Sequence, residues 1–467
     1  MSRNSKILLV LLVGAIIWFL PIPSGVKPQA WKLLALFAAT IVGFILQPMP
    51  MGVIAFTSLV FAVFFKILTL PQALSGFANG TIWLIVSAFL FAAGFVKTGL
   101  GRRIAYMLIN AIGGSSMRLA YALILSDLII APATPSNTAR GGGILYPIIR
   151  SLASTFNSEP NDASSRKIGS YLIQTTYQSL TITSAMFITS VSSNVLAASL
   201  ATQLLKIPIN WGTWALAAIV PGLISLALIP LIMYKLYPPE IKDTSEARTL
   251  AANELKKMGN MSREEKTVAF VFIMALILWA TSQWTKLDAT LVAMIGVAIM
   301  LWLNALTWKD VLNETSAWDT MVWMGTLVAL AGALNSLGLI AWFAKTVSSM
   351  MVGIHWTTTV FTLAIIYIYT HYMFASTTAH VTAMYAAFLA VAVAAGAPPV
   401  FAALAIGFAT TLCSSLTHYA MGPSPILFGA GYVPQNTWWR LGFIFSLVYI
   451  VIWYGIGSLW WKVIGIW

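Results

Sequence analysis

The chain has 467 residues, 59% of them apolar and 8% charged, with a formal net charge of +13 from 26 Lys and Arg against 13 Asp and Glu. Soluble globular domains carry about a quarter charged residues, so this composition and a mean hydropathy of +0.86 exclude that class. The basic excess reads as the positive-inside bias of membrane loops, not as a nucleic-acid surface.

In chain order, the basic start and the apolar run Ile7–Leu20 lack a small-residue cleavage site and read as a first span, not a signal peptide. Runs long enough for a bilayer core place eleven spans near 6–22, 31–48, 51–69, 81–98, 168–205, 210–236, 267–285, 289–306, 319–338, 397–430 and 439–463. Segments 118–150 and 356–395 are equally long but carry polar residues in their middles, and read as re-entrant hairpins. No alternating strands of about ten residues occur, which excludes a β-barrel. The expected class is therefore an all-α polytopic membrane protein. Its parts are a first unpaired span (1–22), a first half (31–236), a hydrophilic loop (237–266) and a second half (267–463).

Charge orients this arrangement. With the N-terminus inside, Lys97, Arg102, Arg103, Arg118, Arg150, Arg166, Lys167, Arg440 and the basic residues of 242–266 all fall inside. Lys27, Lys32, Lys206, Lys286 and Lys345 fall outside, a minority. The first hairpin then opens inward and the second outward, and the C-terminus lies outside.

The chain repeats itself. "TIWLIVSAFLFAAGFVKTGLGRRIA" from Thr81 matches "TMVWMGTLVALAGALNSLGLIAWFA" from Thr320, and "PSNTARGGGILYP" from Pro135 matches "ASTTAHVTAMYAA" from Ala375. An odd number of spans separates the copies, so they run in opposite orientations. Inverted repeats with broken helices meeting at the midplane are how secondary transporters build substrate sites.

The broken segments carry the chemistry. Pro132 and Pro135 interrupt helical bonding before Ser136-Asn137-Thr138, and Gly141–Gly143 are expected to loosen the chain after it. Such a tip offers backbone N–H groups, hydroxyls and an amide to a carboxylate; a plain helix cap is the competing reading. Ser376-Thr377-Thr378 form the second tip. Arg140 and His380, 240 residues apart (380 − 140), follow the two tips as symmetric cations; Asp127 is the candidate for an ion pair with Arg140. Polar breaks at Ser190, Ser192 and Ser193 and at Thr417 and His418 are expected to face the tips. Carboxylates are scarce in the membrane segments, so the substrate is expected to be anionic. No metal-ligand spacing or nucleotide motif occurs. Ser414 or Ser415 beside His418 lacks an acid to orient the histidine, so an enzyme is not expected. The single cysteine, Cys413, excludes an internal disulfide.

"APATPSNTARGGGILYPII", "TSAWDTMV", "WWRLGFIF" and "LTHYAMGPSPILFGAGYV" resemble the divalent anion/sodium symporter family, and within it the citrate/succinate, tartrate/succinate and oxoglutarate/malate exchangers. The resemblance runs nearly end to end. It implies a homodimeric elevator, with a scaffold domain of about 1–117 and 237–355 and a transport domain of about 118–236 and 356–467. It implies substrate contacts at Ser136, Asn137 and Thr138. In sodium-coupled members the same motifs also form sodium sites. This chain departs from those members: Thr377 replaces an asparagine, Arg140 and His380 replace small neutral residues, and His418 replaces a proline. Fixed cations at Arg140 and His380 are expected to stand in for sodium. The expected activity is sodium-independent antiport of di- or tricarboxylates such as succinate, malate, 2-oxoglutarate, citrate or tartrate across the plasma (inner) membrane, with no cofactor or metal.

Overall fold

A computed structural model describes residues 2–350 and 355–467, and all regular structure among them is helical. Each of the eleven apolar segments falls on a helix or on a broken helix pair. Seven helical segments are long and apolar enough to cross a membrane, among them Gly80–Thr98, Trp211–Leu236 and Gln435–Val463. Met51–Phe64 and Ala289–Trp302 are shorter but equally apolar.

Contacts between loops sort the chain ends. Lys97 pairs with Asp310, Arg103 with Glu265, Ser116 bonds the Lys242 carbonyl, and Asn161 bonds the Gly431 carbonyl. All of these loops were expected on one side, and they gather at one end of the molecule. At the other end Gln29 bonds Ile67, Asn335 bonds Gln203, and Thr290 bonds Gly80.

The two hairpins are each built as helix, tip and helix. The first runs Ser116–Ala133, a tip, then Ala139–Thr155. Ser116 and the segment after Thr155 both lie at the Lys97 end. The second runs Trp356–Met373, a tip, then Thr377–Ala394. Trp356 and Phe401, at its start and just beyond its finish, meet edge-to-face with each other and with Trp467.

The repeat is visible element by element. The first arms begin at Ser116 and Trp356, their 3-10 turns at Ala131 and His371, and the second arms' α-helices at Tyr146 and Ala386. Each pair is offset by 240 (356 − 116, 371 − 131, 386 − 146). Both second arms carry a π-helical stretch just after the tip, Ala139–Leu145 in the first and Val381–Tyr385, behind the short helix Thr377–His380, in the second. π-Turns are rare and cluster at functional places, so their symmetric recurrence argues for a shared origin of the two halves.

Between the hairpins lies helix Gly169–Met186, every residue of which is buried. It is followed by a break, Phe187–Val191, and by helix Ser192–Leu205. In the second half, helix Pro399–Leu412 ends in a longer break that reaches Pro423. The hydrophilic loop is more ordered than expected. Helix Ser245–Met258 packs on the amphipathic helix Leu100–Ile112, and Arg103 there bonds both Glu265 carboxylate oxygens, at 2.8 and 3.0 Å.

Candidate functional site

The first tip is shaped by its own residues. The 3-10 turn Ala131–Ala133 ends at an extended Thr134, and the Ser136 hydroxyl accepts the Ala139 N–H at 3.1 Å. The second tip repeats this cap, the Ser376 hydroxyl accepting the Ala379 N–H at 3.4 Å. Both serines therefore cap a helix, as the competing reading had it. Gly141 and Gly142, expected with Gly143 to loosen the chain, lie with it inside the π-helix Ala139–Leu145 and continue the arm. Their role is close approach: a Cβ on Gly141 would meet Leu180 at 2.7 Å and Pro423 at 3.0 Å, and one on Gly142 would meet Ile426 at 2.6 Å.

Arg140 is 1% exposed and makes four hydrogen bonds. Its Nε donates to Asp127 Oδ1 at 2.8 Å. Its Nη1 donates to two carbonyls at 2.6 Å each, Thr134 in the tip and Ser190 in the first break. Its Nη2 donates to Ser184 Oγ at 2.9 Å. Asp127, fully buried, also accepts from the Thr183 hydroxyl. The sequence reading is corrected here: Arg140 adds no unpaired positive charge, because Asp127 neutralises it. What the guanidinium does is bridge hairpin and break through oxygens of the kind that bind a hard cation.

At the equivalent position His380 is also fully buried. Its ring lies between Tyr367 and Phe374, with centroids 4.0 and 4.3 Å away. Its Nδ1 is 3.0 Å from Nδ1 of His371, and its Nε2 is 3.2 Å from the Thr370 hydroxyl. His371 donates through Nε2 to the Ala420 carbonyl at 2.9 Å.

The second break is where the tips converge. Asn137 contacts Met421 Sδ at 3.4 Å, and the Tyr419 hydroxyl donates to the Tyr372 carbonyl at 2.9 Å. A Cβ on Gly422 would fall 1.9 Å from Thr138 Oγ1, so only glycine lets the first tip seat there. The two breaks are tied by Asn194, which donates to the Ser184 and Phe187 carbonyls and accepts from Thr411 at 2.7 Å. Thr377 and Thr378 lie on the short helix Thr377–His380, which packs against helix Ser192–Leu205 and helix Pro28–Leu46.

The expected residues of the breaks separate into groups. The Ser193 and Thr417 hydroxyls are buried and have no hydrogen-bond partner among the described residues, as does that of Ser415. Buried orphan donors are rare enough to need a reason; Ser415 and Thr417 lie in the second break and Ser193 just past the first, while others, such as Gln174 and Ser199, lie on the buried helices themselves. Ser190 spends its hydroxyl on the Ser184 and Phe187 carbonyls, and Ser192, half-buried, opens the following helix. His418 turns away from that cluster: its Nδ1 accepts from Trp439 Nε1 at 2.9 Å and its ring packs on Phe428.

Several partners went unread in the sequence. Thr183 and Ser184 hold the ion pair. Tyr177 donates to the Ser414 and Thr417 carbonyls at 2.5 and 2.8 Å, and Gln178 donates to the Ser415 carbonyl at 3.3 Å. The signal was the density of Ser, Thr and Gln in a span otherwise long enough to be apolar.

A cavity of about 390 Å³ reaches Ser136 and Ala139 from the end marked by Lys97, Asp310 and Glu314. His371, His380 and Cys413 have ligand atoms within 4.8 Å of one another. That spread is wider than the roughly 3.5 Å that zinc–nitrogen and zinc–sulfur bonds near 2.0–2.3 Å impose. The histidines are already bonded to each other and to Ala420, so the trio does not fit a metal.

Broken helices in symmetric halves and two polar tips meeting at a break are the architecture of a multi-pass membrane transporter. The chain belongs to the family described as the sodium:sulfate symporter transmembrane region, whose model matches residues 1–467. It is 50% identical to the "Putative malate transporter YflS" of Bacillus subtilis over 99% of this chain and 96% of that protein. It is 45% identical to "Dicarboxylate transporter 1, chloroplastic" of Arabidopsis thaliana over 97% of this chain and 82% of that one. The solved YdaH transporter of Alcanivorax borkumensis shares the fold at a TM-score of 0.59 and 13% identity, over 99% of this chain and 98% of that structure.

Proposed function

We propose that this protein exchanges dicarboxylates or tricarboxylates across the plasma membrane without sodium. The carboxylate class is taken from the malate and dicarboxylate transporters it resembles and fits tips built from hydroxyls, an amide and helix N-termini. The observation that carries sodium independence is the Arg140 guanidinium, held between the Thr134 and Ser190 carbonyls, the Ser184 hydroxyl and Asp127. A tethered cation already occupies the joint of hairpin and break, so no ion need be recruited to close it.

Ser136, Asn137, Thr138, Ser376, Thr377 and Thr378 at the tips, with Ser193 just past the first break and Thr417 in the second, are the substrate contacts in this reading. The unpartnered Ser193 and Thr417 hydroxyls also account for obligate exchange. An empty carrier would drag these unsatisfied hydroxyls past apolar walls, at a cost of about 1–3 kcal/mol for each group. A bound carboxylate satisfies them, so the loaded carrier moves and the empty one stays.

The moving part in this account comprises about 118–236 and 356–467, sliding as an elevator against a scaffold of about 1–117 and 237–355 that dimerises. The N-terminus is cytoplasmic and the C-terminus lies outside. Sodium-coupled symport is the second reading, favoured by the unpartnered Ser193 and Thr417 hydroxyls, which suit an alkali cation as well as a carboxylate. Counterflow of a panel of di- and tricarboxylates in proteoliposomes, with and without sodium, separates the two.

A further inference from the structure

We propose that His371 and His380 form one proton-binding site that takes up a proton together with the carboxylate, with His371 as the positioning residue. The inference rests on the exchange reading above and assigns a second ligand to the same site.

The hydrogen-bond accounting points this way. The Ala420 carbonyl can only accept, so His371 carries its proton on Nε2 and presents a lone pair at Nδ1. His380 Nδ1, 3.0 Å away, must then be the donor. The remaining question is Nε2 of His380, 3.2 Å from Thr370 Oγ1, an oxygen that also lies 2.9 Å from the Tyr367 carbonyl. With a neutral His380 the single Thr370 proton serves either the ring or the carbonyl, and one contact goes unmade. With an imidazolium, Nε2–H donates to Thr370, Thr370 donates to Tyr367, and all four contacts are made. The pocket thus accepts the extra proton by rotating one hydroxyl.

The surroundings suit a cation that comes and goes. Tyr367 and Phe374 sandwich the ring at 4.0 and 4.3 Å, the arrangement that favours cations over aromatic faces. The titratable neighbours are His371 and Tyr367 on the hairpin and Cys413 on the facing break. Helices Ser192–Leu205 and Pro399–Leu412, packed on the tip helix, contain no charged residue; helix Pro28–Leu46 contains only Lys32, which is turned over Trp18. Among the described residues no carboxylate pairs with His380 as Asp127 pairs with Arg140. A buried cation without a counter-ion is costly, and the anion available is the substrate, docking at Ser376–Thr378 two to four residues before His380. Proton and carboxylate therefore bind together and leave together, with no net proton flux during exchange.

The sign follows directly: deprotonation weakens carboxylate binding, so KM rises with pH. Two variants separate proton holding from simple bracing. His371→Gln keeps a donor for Ala420 and loses the acceptor at the Nδ1 position. His371→Asn keeps that acceptor and loses the Ala420 bond. Sodium-free counterflow of a dicarboxylate, from about pH 6.5 to 8.5 where its carboxyls stay ionised, should show KM rising by up to about tenfold per pH unit in the wild type. H371N should follow the wild type, and H371Q should show a high, flat KM with kcat changed less. Purified wild-type protein in weakly buffered detergent should take up one proton per chain on adding dicarboxylate, and H371Q none. A flat wild-type KM with no proton uptake overturns the site, whatever the variants do. A wild-type-like profile in H371Q overturns the role of His371. Counterflow that fails without sodium at every pH overturns the exchange reading itself, which the proton-uptake measurement does not depend on.

Discussion

Replacing Arg140 with alanine tests the joint of hairpin and break most severely. The change leaves the Asp127 carboxylate fully buried with the Thr183 hydroxyl as its remaining donor, and strips the Thr134 and Ser190 carbonyls of theirs. Breaking a buried ion pair by removing one partner costs about 3–5 kcal/mol. The four bonds of Arg140 act as a unit, so the sum of single-bond values is not the right figure. Arg140→Ala is therefore expected to lower the thermal unfolding midpoint in detergent markedly and to abolish counterflow. The double variant Arg140→Met, Asp127→Leu removes both charges and fills the space, so most of the stability should return while counterflow does not. Arg140→Ala alone retains a carboxylate, two carbonyls and a hydroxyl around the emptied position, a set suited to a hard cation. Sodium should thus restore part of its stability and exchange, but none to the double variant. The reasoning fails if Arg140→Ala is as stable as the wild type, or if the double variant exchanges at the wild-type rate.

Three further outcomes are expected. Gly422→Ala drives a methyl into Thr138 Oγ1; with overpacking costs of about 1–3 kcal/mol, it should unseat the first tip and cut exchange at least tenfold by counterflow. Thr417→Val and Ser193→Ala remove hydroxyls without partners, so melting temperatures should hold or rise while KM for the carboxylate increases severalfold. At the loop end, burial works against the Glu265 carboxylate, but the Arg103 bonds prevail and hold its pKa below the usual value, and Lys97 holds Asp310 down to about 2. Depressed carboxylate pKa values give stability that is present at neutral pH and lost as the pH falls through the folded-state values. Acid melts should therefore show a loss below about pH 4 that Arg103→Gln makes smaller.

The architecture was legible because membrane spans announce themselves by length and apolarity, and because the two halves still align at a constant offset. The tips were legible for a different reason: a membrane helix absorbs single prolines, as Trp211–Leu236 does at Pro221 and Pro230, but two prolines, three glycines and a run of polar side chains within 132–143 mark a break. What was misread followed from reading residues one at a time. Asp127 could be named from the sequence as a partner for Arg140, but the choice between an ion pair and a free cation needed the fold, which closes the two arms of the hairpin to 2.8 Å. Gly141 and Gly142 were read as loosening the chain, whereas their use is close contact with Leu180, Pro423 and Ile426 from distant segments. His418 looked like a site residue by adjacency to Thr417, but successive residues in a broken helix point apart. The His371–His380 pair was hidden because both rings also suit a core, and their meeting depends on the turn between them.

The most direct test of the account is counterflow in proteoliposomes preloaded with unlabelled dicarboxylate, followed by labelled uptake with sodium present or replaced by choline. The account predicts equal uptake in both media and almost none into liposomes without internal substrate. Uptake that requires sodium, and that fills liposomes lacking internal substrate, would contradict it.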